Sequence, residues 1–277
     1  MRIAVTGSSG FIGSHLIPFL KKEGHDVVAL KRDQLDLSHL EGFEAVIHLA
    51  GESVLGYWTA AKKQRIRESR LGTTARLVAA FKQMKKPPAT FICASAVGFY
   101  GSRGDEILTE ESTLGSGFLA DLCQQWEAIA QIAAGVTRVV NLRIGIVLSP
   151  DGGMLAKMRP IFNLGLGGRM GPGKEWMSWI ALDDLLRMIS CILKNKALSG
   201  PVNGVAPNPI IQKEFVQSLA HSLHRPAFFH LPRWLLRGIL NEVADETIFA
   251  STRASPKKMI DSGFIFNSNY LNDFLNN

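Results

Sequence analysis

The chain is poor in cysteine, and its thiols are scattered. Cys93, Cys123 and Cys191 are its three cysteines, and no two of them show a CxxC spacing. Isolated thiols in odd number predict neither a disulfide framework nor a zinc site. Each falls in an apolar or helical stretch, so we expect three packed thiols and a cytoplasmic protein.

Long apolar runs are also missing. No run approaches the ~20 residues that a helix needs to cross a bilayer. Met1 and Arg2 lead directly into the strand-like stretch IAVTG, which predicts no signal peptide. With 46% hydrophobic and 20% charged residues, the composition is typical of a soluble globular protein. We therefore expect no membrane partner.

The positive charge lacks the arrangement that single-stranded nucleic acid requires. The formal net charge is +7, but the basic residues come mostly in small, separated groups. The densest group, KKQRIRESR at 62–70, places Lys63, Arg67 and Arg70 on one helical face. No aromatic residues interleave with them as a stacking platform would need. A solvated cationic face is the first interpretation and a small phosphorylated ligand the second, and we expect no nucleic-acid partner.

The first half of the chain alternates strand-like and helix-like segments. Strands are predicted in RIAVTG, HDVVALKR, EAVIHLAG, ATFICASA and TRVVNLRIGIVL. Amphipathic helical segments follow the first, third and fourth of them, and Ser116 is the expected N-cap of the last of these helices. The pattern predicts an α/β fold, a Rossmann-type doubly wound parallel sheet with helices on both faces.

A glycine-rich loop follows the first strand and opens the first helix. It reads TGSSGFIG, residues 6–13. Gly7 allows the tight turn, Gly10 lets the backbone approach a pyrophosphate, and Gly13 lets the helix pack closely on the strand. The phosphates then face the positive end of the helix. Because the loop stands between strand and helix in a βαβ unit, it predicts dinucleotide binding.

The spacing of these glycines resembles that of the extended, atypical short-chain dehydrogenase/reductases, the superfamily of the nucleotide-sugar epimerases and dehydratases. Further segments of the chain read SRLGTTARLV, SAVGFYG, FLADLCQQWE, LRIGIVL, GLGG, SWIALDDL and PVNGVAP. In these segments the chain is similar to an epimerase-like branch of the superfamily that has a C-terminal domain of unknown function. Some members of this branch have been labelled cell-division inhibitors.

The chain texture changes after Leu148, where glycine-rich stretches and helical patterns replace most strands. We therefore expect a cofactor-binding Rossmann domain at 1–150. A smaller, mainly helical, substrate-facing lobe is expected at 151–277, with the terminal domain of unknown function from about 225.

The end of the second strand predicts the choice of cofactor. NAD enzymes usually place an acidic side chain there, on the ribose 2′-hydroxyl. This chain has Lys31 and Arg32 there, two cations that suit the 2′-phosphate of NADP. Asp33 comes next, and its carboxylate would favour NAD instead. Solvated charges at a strand end are the alternative. We expect NADP.

The resemblance implies further cofactor contacts. It places the backbone at the end of the third strand beneath the cofactor and an arginine within reach of a phosphate. It also places two residues in the last part of TRVVNLRIGIVL near the nicotinamide. Core packing at sheet ends is the alternative for each. The positions are Phe11, Ile12, Leu49, Ala50, Gly51, Ser69 (an Asn in relatives), Arg70, Ile146 and Val147.

The superfamily's proton-transfer residues are missing. Its members use a Tyr, a Lys four residues further on, and a Ser or Thr at the end of the strand that corresponds to ATFICASA. Counting back from Glu127, the Tyr position holds Leu119 and the Lys position holds Cys123. With Tyr100 as anchor, Ala96 stands at the Ser position. An apolar side chain cannot transfer a proton, and a cysteine inside a helix is more often inert packing.

Other groups are candidates for the catalytic role. Tyr100 and the carboxylates of RGDEILTEES, Glu110 among them, follow the strand whose end the superfamily uses. Ser95 would serve if the loop were shifted by one residue. An acidic surface loop is the alternative for the whole segment.

The second half offers a further wall for a substrate. Relatives present a nucleotide-sugar to the region that here contains Arg169, Lys174, Trp176 and Trp179. His221, His224 and His230 have no carboxylate at a matching interval, so we expect no metal.

Two hypotheses of function follow. The first is an NADP(H)-binding, epimerase-like oxidoreductase with a non-standard active site, acting on a nucleotide-sugar or another small polar compound. The second is a catalytically silent NADP(H)-dependent sensor that binds a protein partner. A homodimer is left open.

Overall fold

The computed structural model describes residues 1–31 and 40–276. Its strands in chain order are β1 (Arg2–Thr6), β2 (Asp26–Leu30), β3 (Ala45–His48), β4 (Thr90–Ala96), β5 (Ile107–Leu108), β6 (Arg138–Ile144), β7 (Ile146–Ser149), β8 (Gly168–Met170), β9 (Trp176–Met177), β10 (Trp179–Ala181), β11 (Gly200–Gly204), β12 (Ile210–Ile211), β13 (Phe229–Leu231) and β14 (Arg253–Ala254). The α-helices of these residues are α1 (Phe11–Lys22), α2 (Ala60–Gln83), α3 (Phe118–Gln131), α4 (Gly153–Asn163), α5 (Leu182–Lys194), α6 (Gln212–Ser222), α7 (Arg233–Leu240), α8 (Lys257–Asp261) and α9 (Leu271–Leu275). A 3-10 helix covers Val97–Tyr100 and a π-helix covers Ala244–Ile248.

A six-stranded sheet forms the centre of the molecule. Its strands lie in the order β11-β6-β4-β3-β1-β2, and every neighbouring pair is parallel. The chain order reverses between β1 and β3, where the carboxyl ends of parallel strands open a crevice that binds ligands in this class of sheet. The predicted α/β, doubly wound parallel sheet is confirmed.

Two apolar cores cover the faces of this sheet. Helices α1 and α5 pack on one face through residues such as Leu16, Leu20 and Ile189. Helices α2 and α3 pack on the other through residues such as Phe81 and Trp126. The central strands β1, β3 and β4 are mostly apolar because both faces of the sheet are buried.

Helix α2 begins earlier than its apolar pattern suggests. The Thr59 hydroxyl accepts a hydrogen bond from the Lys62 backbone N–H, with 3.1 Å between Oγ1 and N, and so caps the helix. The cationic segment at 62–70 is therefore helical. This start brings Arg70 to the end of β3, next to Gly51.

The predicted strand TRVVNLRIGIVL breaks in two at Gly145. The Gly145 N–H donates to the Gly204 carbonyl at 3.0 Å. A Cβ on Gly145 would come within 2.5 Å of the Ser178 carbonyl oxygen. The chain then continues as β7, which pairs with β10 outside the main sheet. The break opens the carboxyl end of β6 toward the crevice.

The second half of the chain contributes to the central layers as well as to a lobe of its own. Strand β11 completes the sheet and α5 covers it, although both follow residue 150. A third core joins α4, α6 and α9 around Trp179 and Phe215. Among residues 1–31 and 40–276, no helix is both long enough and apolar enough to span a bilayer.

Candidate functional site

The glycine loop forms a cradle that side chains would fill. Gly7 has a φ of +71°, and a Cβ there would lie 2.7 Å from the Ala50 nitrogen. A Cβ on Gly13 would lie 2.3 Å from the Gly7 carbonyl oxygen. Gly10 is the N-cap of α1, and no side chain caps this helix. The first-turn amides of α1 are thus presented as a pyrophosphate-binding site requires, so the loop fits a dinucleotide.

A small cavity of about 250 Å³ lies on one side of the loop, at the ends of β1 and β2. Lys31 is exposed on its wall beside Leu30, and Thr73 approaches from α2. Its lining is Thr6, Gly7, Ser8, Ser9, Leu30, Lys31, Ala50 and Thr73. This placement fits the adenosine half of a dinucleotide with a charged group near Lys31. Arg32 lies outside the described residues.

A larger cavity of about 670 Å³ opens on the other side of the loop. Six of the residues predicted to contact the cofactor lie on its wall. They are Phe11, Ile12, Leu49, Gly51, Ile146 and Val147. The structure therefore brings the glycine loop and the ends of β3 and β6 to one cavity of the size that ligand sites usually have.

Arg70 also lies on the wall of the large cavity. Its Nη1 donates to the Glu52 carbonyl at 2.9 Å, and its guanidinium packs on Gly51, where a Cβ would meet Cζ at 2.9 Å. Ser69 is not on this wall. Its hydroxyl accepts a hydrogen bond from the Glu52 N–H at 2.9 Å and donates to the Ile66 carbonyl at 3.0 Å, which shapes the loop beneath the cavity.

The positions of the missing triad line the same cavity. Leu119, Cys123 and Ala96 are all on its wall. Burial and the nearby charge of Glu127 raise the pKa of the Cys123 thiol to about 11. Cys123 is therefore a neutral thiol near pH 7, and the triad positions hold no side chain that takes up or releases a proton readily.

Ser95 lies on the cavity wall, but its hydroxyl proton already takes part in a hydrogen bond within the protein. The hydroxyl donates to Glu127 Oε1 at 2.6 Å. Arg143 holds both oxygens of the same carboxylate, through Nε and Nη2 at 2.8 Å each. The Ser95 oxygen can still accept a hydrogen bond from a ligand hydroxyl.

Tyr100 and Glu110 do not reach this cavity. Tyr100 is fully buried, and its hydroxyl donates to Asn203 Oδ1 at 2.7 Å and accepts from Arg143 Nη1 at 3.0 Å. Glu110 is buried, and its Oε1 accepts from the backbone N–H groups of Asn203 at 3.1 Å and Lys258 at 3.3 Å. The catalytic role that the sequence suggested for these two residues needs correction: the 3-10 helix Val97–Tyr100 turns the phenol into the interior.

The C-terminal segment supplies a wall that the sequence did not reveal. Glu246 Oε1 accepts from the Phe118 N–H, and its Oε2 accepts from the Leu119 N–H, both at 2.7 Å. The carboxylate thus occupies the start of α3, where Ser116 was expected to cap; the N-cap is Gly117, without a side-chain cap. Asp245 and Thr247 line the cavity beside it. No local pattern in NEVADETIFA signals this contact.

Of the residues expected along the substrate wall, Trp176 lies on the large cavity. Its indole Nε1 donates to Asp105 Oδ1 at 2.7 Å. Trp179 is fully buried and donates to the Asn208 carbonyl at 2.9 Å, so it belongs to the core. Arg169 and Lys174 do not line this cavity.

Histidines and acids do not gather into a metal site in the part of the chain that the structure describes. His221 lies in the last turn of α6 and His224 lies just after this helix, and their ring centroids are 6.5 Å apart. His230 Nε2 lies 2.9 Å from the Gly171 carbonyl oxygen.

Two family models match the chain. Residues 3–203 match the NAD dependent epimerase/dehydratase family. Residues 231–277 match a domain of unknown function, DUF1731.

Individual proteins match over nearly the whole length. The epimerase family protein Mb2239 of Mycobacterium bovis is 38% identical over 99% of this chain and 96% of its own. The epimerase family protein YfhF of Bacillus subtilis is 35% identical over 96% of this chain and 94% of its own. A crystal structure of human epimerase family protein SDR39U1 (isoform 2) with NADPH superposes with a TM-score of 0.94 at 30% identity, covering 99% of this chain and 98% of the human one. The resemblance in the sequence is confirmed: the chain belongs to the NAD dependent epimerase/dehydratase family. Like the epimerase-like branch that the sequence resembles, it has a C-terminal domain of unknown function.

Proposed function

We propose that this chain is an NADP(H)-dependent, epimerase-like oxidoreductase that acts on a small polar compound with a hydroxyl or carbonyl group. The observation that carries the proposal is the pair of cavities on either side of the glycine loop. The smaller one suits the adenosine half of NADP, with Lys31 at the 2′-phosphate. The larger one suits the nicotinamide half and a substrate. NADPH in the crystal structure of the human relative supports this choice of cofactor.

Bound NADP(H) would supply or accept a hydride, and the accompanying proton would come from water or pass to water. The chain's own residues would orient the substrate beside the cofactor. Apolar side chains such as Leu119, Ile146 and Val147 line the cavity and would pack against the nicotinamide half and the substrate. The Ser95 oxygen accepts a hydrogen bond from a substrate hydroxyl because its own proton points at Glu127. We propose this orienting role for Ser95 in place of proton transfer by Tyr100 or Glu110.

The size of the cavity favours a small substrate. Its volume of about 670 Å³ must hold the nicotinamide half of the cofactor as well. A nucleotide-sugar is the larger alternative, suggested by the fold alone.

The free thiols of all three cysteines support the proposed cytoplasmic location.

Cofactor binding tests the proposal. We expect NADPH to bind at least about tenfold more tightly than NADH, because a 2′-phosphate held by cations makes charge-assisted hydrogen bonds. Isothermal titration on the parent protein and on Arg32→Asp measures this, and the variant should lose the preference. Equal affinity of the parent for both cofactors would contradict the choice of NADP.

Turnover separates the enzyme from the sensor. NADPH oxidation and NADP reduction are followed with a panel of small carbonyl compounds, alcohols and nucleotide-sugars. We expect turnover on a small polar member of the panel. Tight NADPH binding without turnover on any member would favour the silent sensor that binds a protein partner.

A further inference from the structure

A patch of exposed apolar side chains covers the ribbon of β8 and β13 and the outer side of α7. Phe228 is 87% exposed, Leu164 76% and Trp234 73%. Apolar side chains that gather on an exposed face in this way mark an interaction site. This ribbon patch consists of Ile161, Leu164, Leu166, Phe228, Phe229, Leu231, Trp234 and Ile239.

The ribbon patch is continuous because β8 and β13 hold its two chain segments together. The two strands pair in parallel. The Phe229 N–H donates to the Gly167 carbonyl at 3.3 Å, which brings the turn at 164–166 beside the start of β13. Leu236 of α7 is buried and shares a small core with Met170 of β8. The exposed side of α7 therefore extends the patch.

The charge around the ribbon patch has one sign. The chain contains no acidic residue at 152–174 or at 215–241, the two segments that form the patch. Asp245, which follows them, pairs with Arg233 and with Arg237 at 2.8 Å each. One carboxylate does not balance the cations of the two segments, so the patch is complementary to an anionic surface. These cations are Lys157, Arg159, Arg169, Lys174, Arg225, Arg233 and Arg237.

The apolar side chains of the patch protrude and do not line a cavity. Four cavities of about 250 to 670 Å³ in the described part of the chain are lined by none of them. A protein partner usually anchors its central side chains in pockets. Protruding Phe, Trp and Leu side chains beside Arg and Lys are instead typical of surfaces that lie in the headgroup region of a membrane.

We propose that the ribbon patch docks this protein on an anionic membrane surface. Phe228 and Trp234 enter the headgroup region, and Arg169 and Arg225 face the anionic headgroups. Attachment of this kind needs no spanning helix. The lack of long apolar runs, on which the expectation of no membrane partner depended, therefore does not bear on it. A second copy of the chain fits the patch less well, because two cationic surfaces would face each other.

Vesicle sedimentation with the full chain tests the proposal. The probes are unilamellar vesicles of phosphatidylcholine alone and of phosphatidylcholine mixed equally with phosphatidylglycerol. We expect the mixed vesicles to bind the protein at least about tenfold more tightly, because several cations then lie near an anionic surface. Added sodium chloride should weaken this binding, because salt screens exposed charges.

Variants locate the docking surface. In the double variant Phe228→Ala with Trp234→Ala, binding to the mixed vesicles should fall about 10- to 100-fold, since two large apolar side chains no longer leave water. Arg225→Ala should weaken it about fivefold, the effect of one cation near an anionic membrane. Ile265→Ala is the matched control and should leave binding unchanged. Ile265 is 76% exposed, and its carbonyl is held by Arg187 of α5, away from the ribbon patch.

Trp234 also reports its own insertion. It is exposed, whereas Trp58, Trp126 and Trp179 are buried. We expect the tryptophan emission of the parent to shift to shorter wavelength with the mixed vesicles, because the Trp234 indole leaves water. Trp234→Phe keeps an aromatic side chain and should bind without this shift.

Three outcomes overturn the proposal. The first is equal binding to both kinds of vesicle, or no binding to the mixed ones, which would leave an acidic protein as the occupant. The second is unchanged binding by a double variant that melts at the parent temperature. The third is a stable dimer in analytical ultracentrifugation that the double variant dissociates, because a second copy would then cover the patch.

Discussion

The Ser95 hydroxyl donates a hydrogen bond to the buried Glu127 carboxylate, with 2.6 Å between Oγ and Oε1. Arg143 completes the arrangement by holding both carboxylate oxygens. The Glu127 and Arg143 side chains are only 10% and 4% exposed. One wall of the large cavity thus rests on a buried ion pair, and such a pair is costly to break because the remaining charge stays in the interior.

We expect Glu127→Gln to lower the free energy of unfolding by about 3 kcal/mol, because Arg143 would keep its charge without a countercharge. Urea denaturation at pH 7 measures this. Glu68→Gln is the control, since Glu68 is exposed and bonded to Gln64 on the surface of α2; its effect should stay within about 0.5 kcal/mol. A similar loss in both variants would contradict the assigned cost of the buried pair.

Tyr100→Phe should lower the stability of the protein and leave its affinity for the cofactor unchanged. The hydroxyl bridges Asn203 and Arg143 inside the protein, and its removal leaves a buried carbonyl oxygen without its donor. We expect a loss of about 1–2 kcal/mol in the free energy of unfolding and an unchanged Kd for NADPH. Tyr57→Phe, at an exposed tyrosine, is the control for losing a phenol oxygen. A large change in turnover with unchanged stability would return Tyr100 to the active site.

The glycine-loop half of the candidate site was predictable because its signals are local. Gly7, Gly10 and Gly13 are needed for backbone reasons that operate within a few residues, and Lys31 follows the strand that positions it. The apolar strands and the helix patterns also have short-range causes. The sheet that they build then brings the ends of β1, β2, β3 and β6 together.

The other half of the candidate site, around α3 and the C-terminal segment, was not predictable in the same way. Tyr100 is close in sequence to the residues of the cavity wall, but its partner Asn203 is 103 positions away and draws the phenol inward. The contacts of Glu246 with Phe118 and Leu119 span 128 and 127 positions. Local patterns in one sequence do not show which distant residues come into contact. The sequence therefore predicted neither the burial of the Tyr100 phenol nor the contact of Glu246 with the start of α3.

Cys123 should react slowly although it lines the cavity. Burial and the charge of Glu127 raise its pKa to about 11, so the protonated thiol predominates at neutral pH. The rate of alkylation of Cys123 by iodoacetamide should rise about tenfold per pH unit from pH 8 to pH 10, as the thiolate fraction does below the pKa. Peptide mass spectrometry measures the rate at this residue. A rate that is already constant at pH 8 would mean a thiolate.

The neutral thiol also predicts the effect of its removal. Cys123→Ala should leave the affinity for NADPH and any turnover within about twofold of the parent, because an inert packed thiol contributes no charge or proton. Lost turnover in a folded Cys123→Ala protein would show that the thiol takes part in the reaction.

Glu246 should hold the C-terminal segment against the large cavity. Each carboxylate oxygen accepts one N–H of the first turn of α3, and Gly117 leaves room for it, since a Cβ there would come within 2.9 Å of Glu246 Oε1. In Glu246→Gln one oxygen becomes an NH₂ group that cannot accept, and the negative charge at the amino end of the helix is lost. We expect a cost of about 1 kcal/mol, the usual size of a lost helix cap.

Hydrogen exchange detects that loss where it occurs. Exchange of the Phe118 and Leu119 amides should accelerate about fivefold in Glu246→Gln, the factor that about 1 kcal/mol supplies. NADPH should also dissociate faster, because Asp245, Glu246 and Thr247 form part of the cavity wall. Glu242→Gln is the matched control: it breaks the ion pair with Lys63 in the same segment, but Glu242 does not line the cavity. If both variants accelerate the two amides equally, the segment is held by its general packing and not by the Glu246 carboxylate.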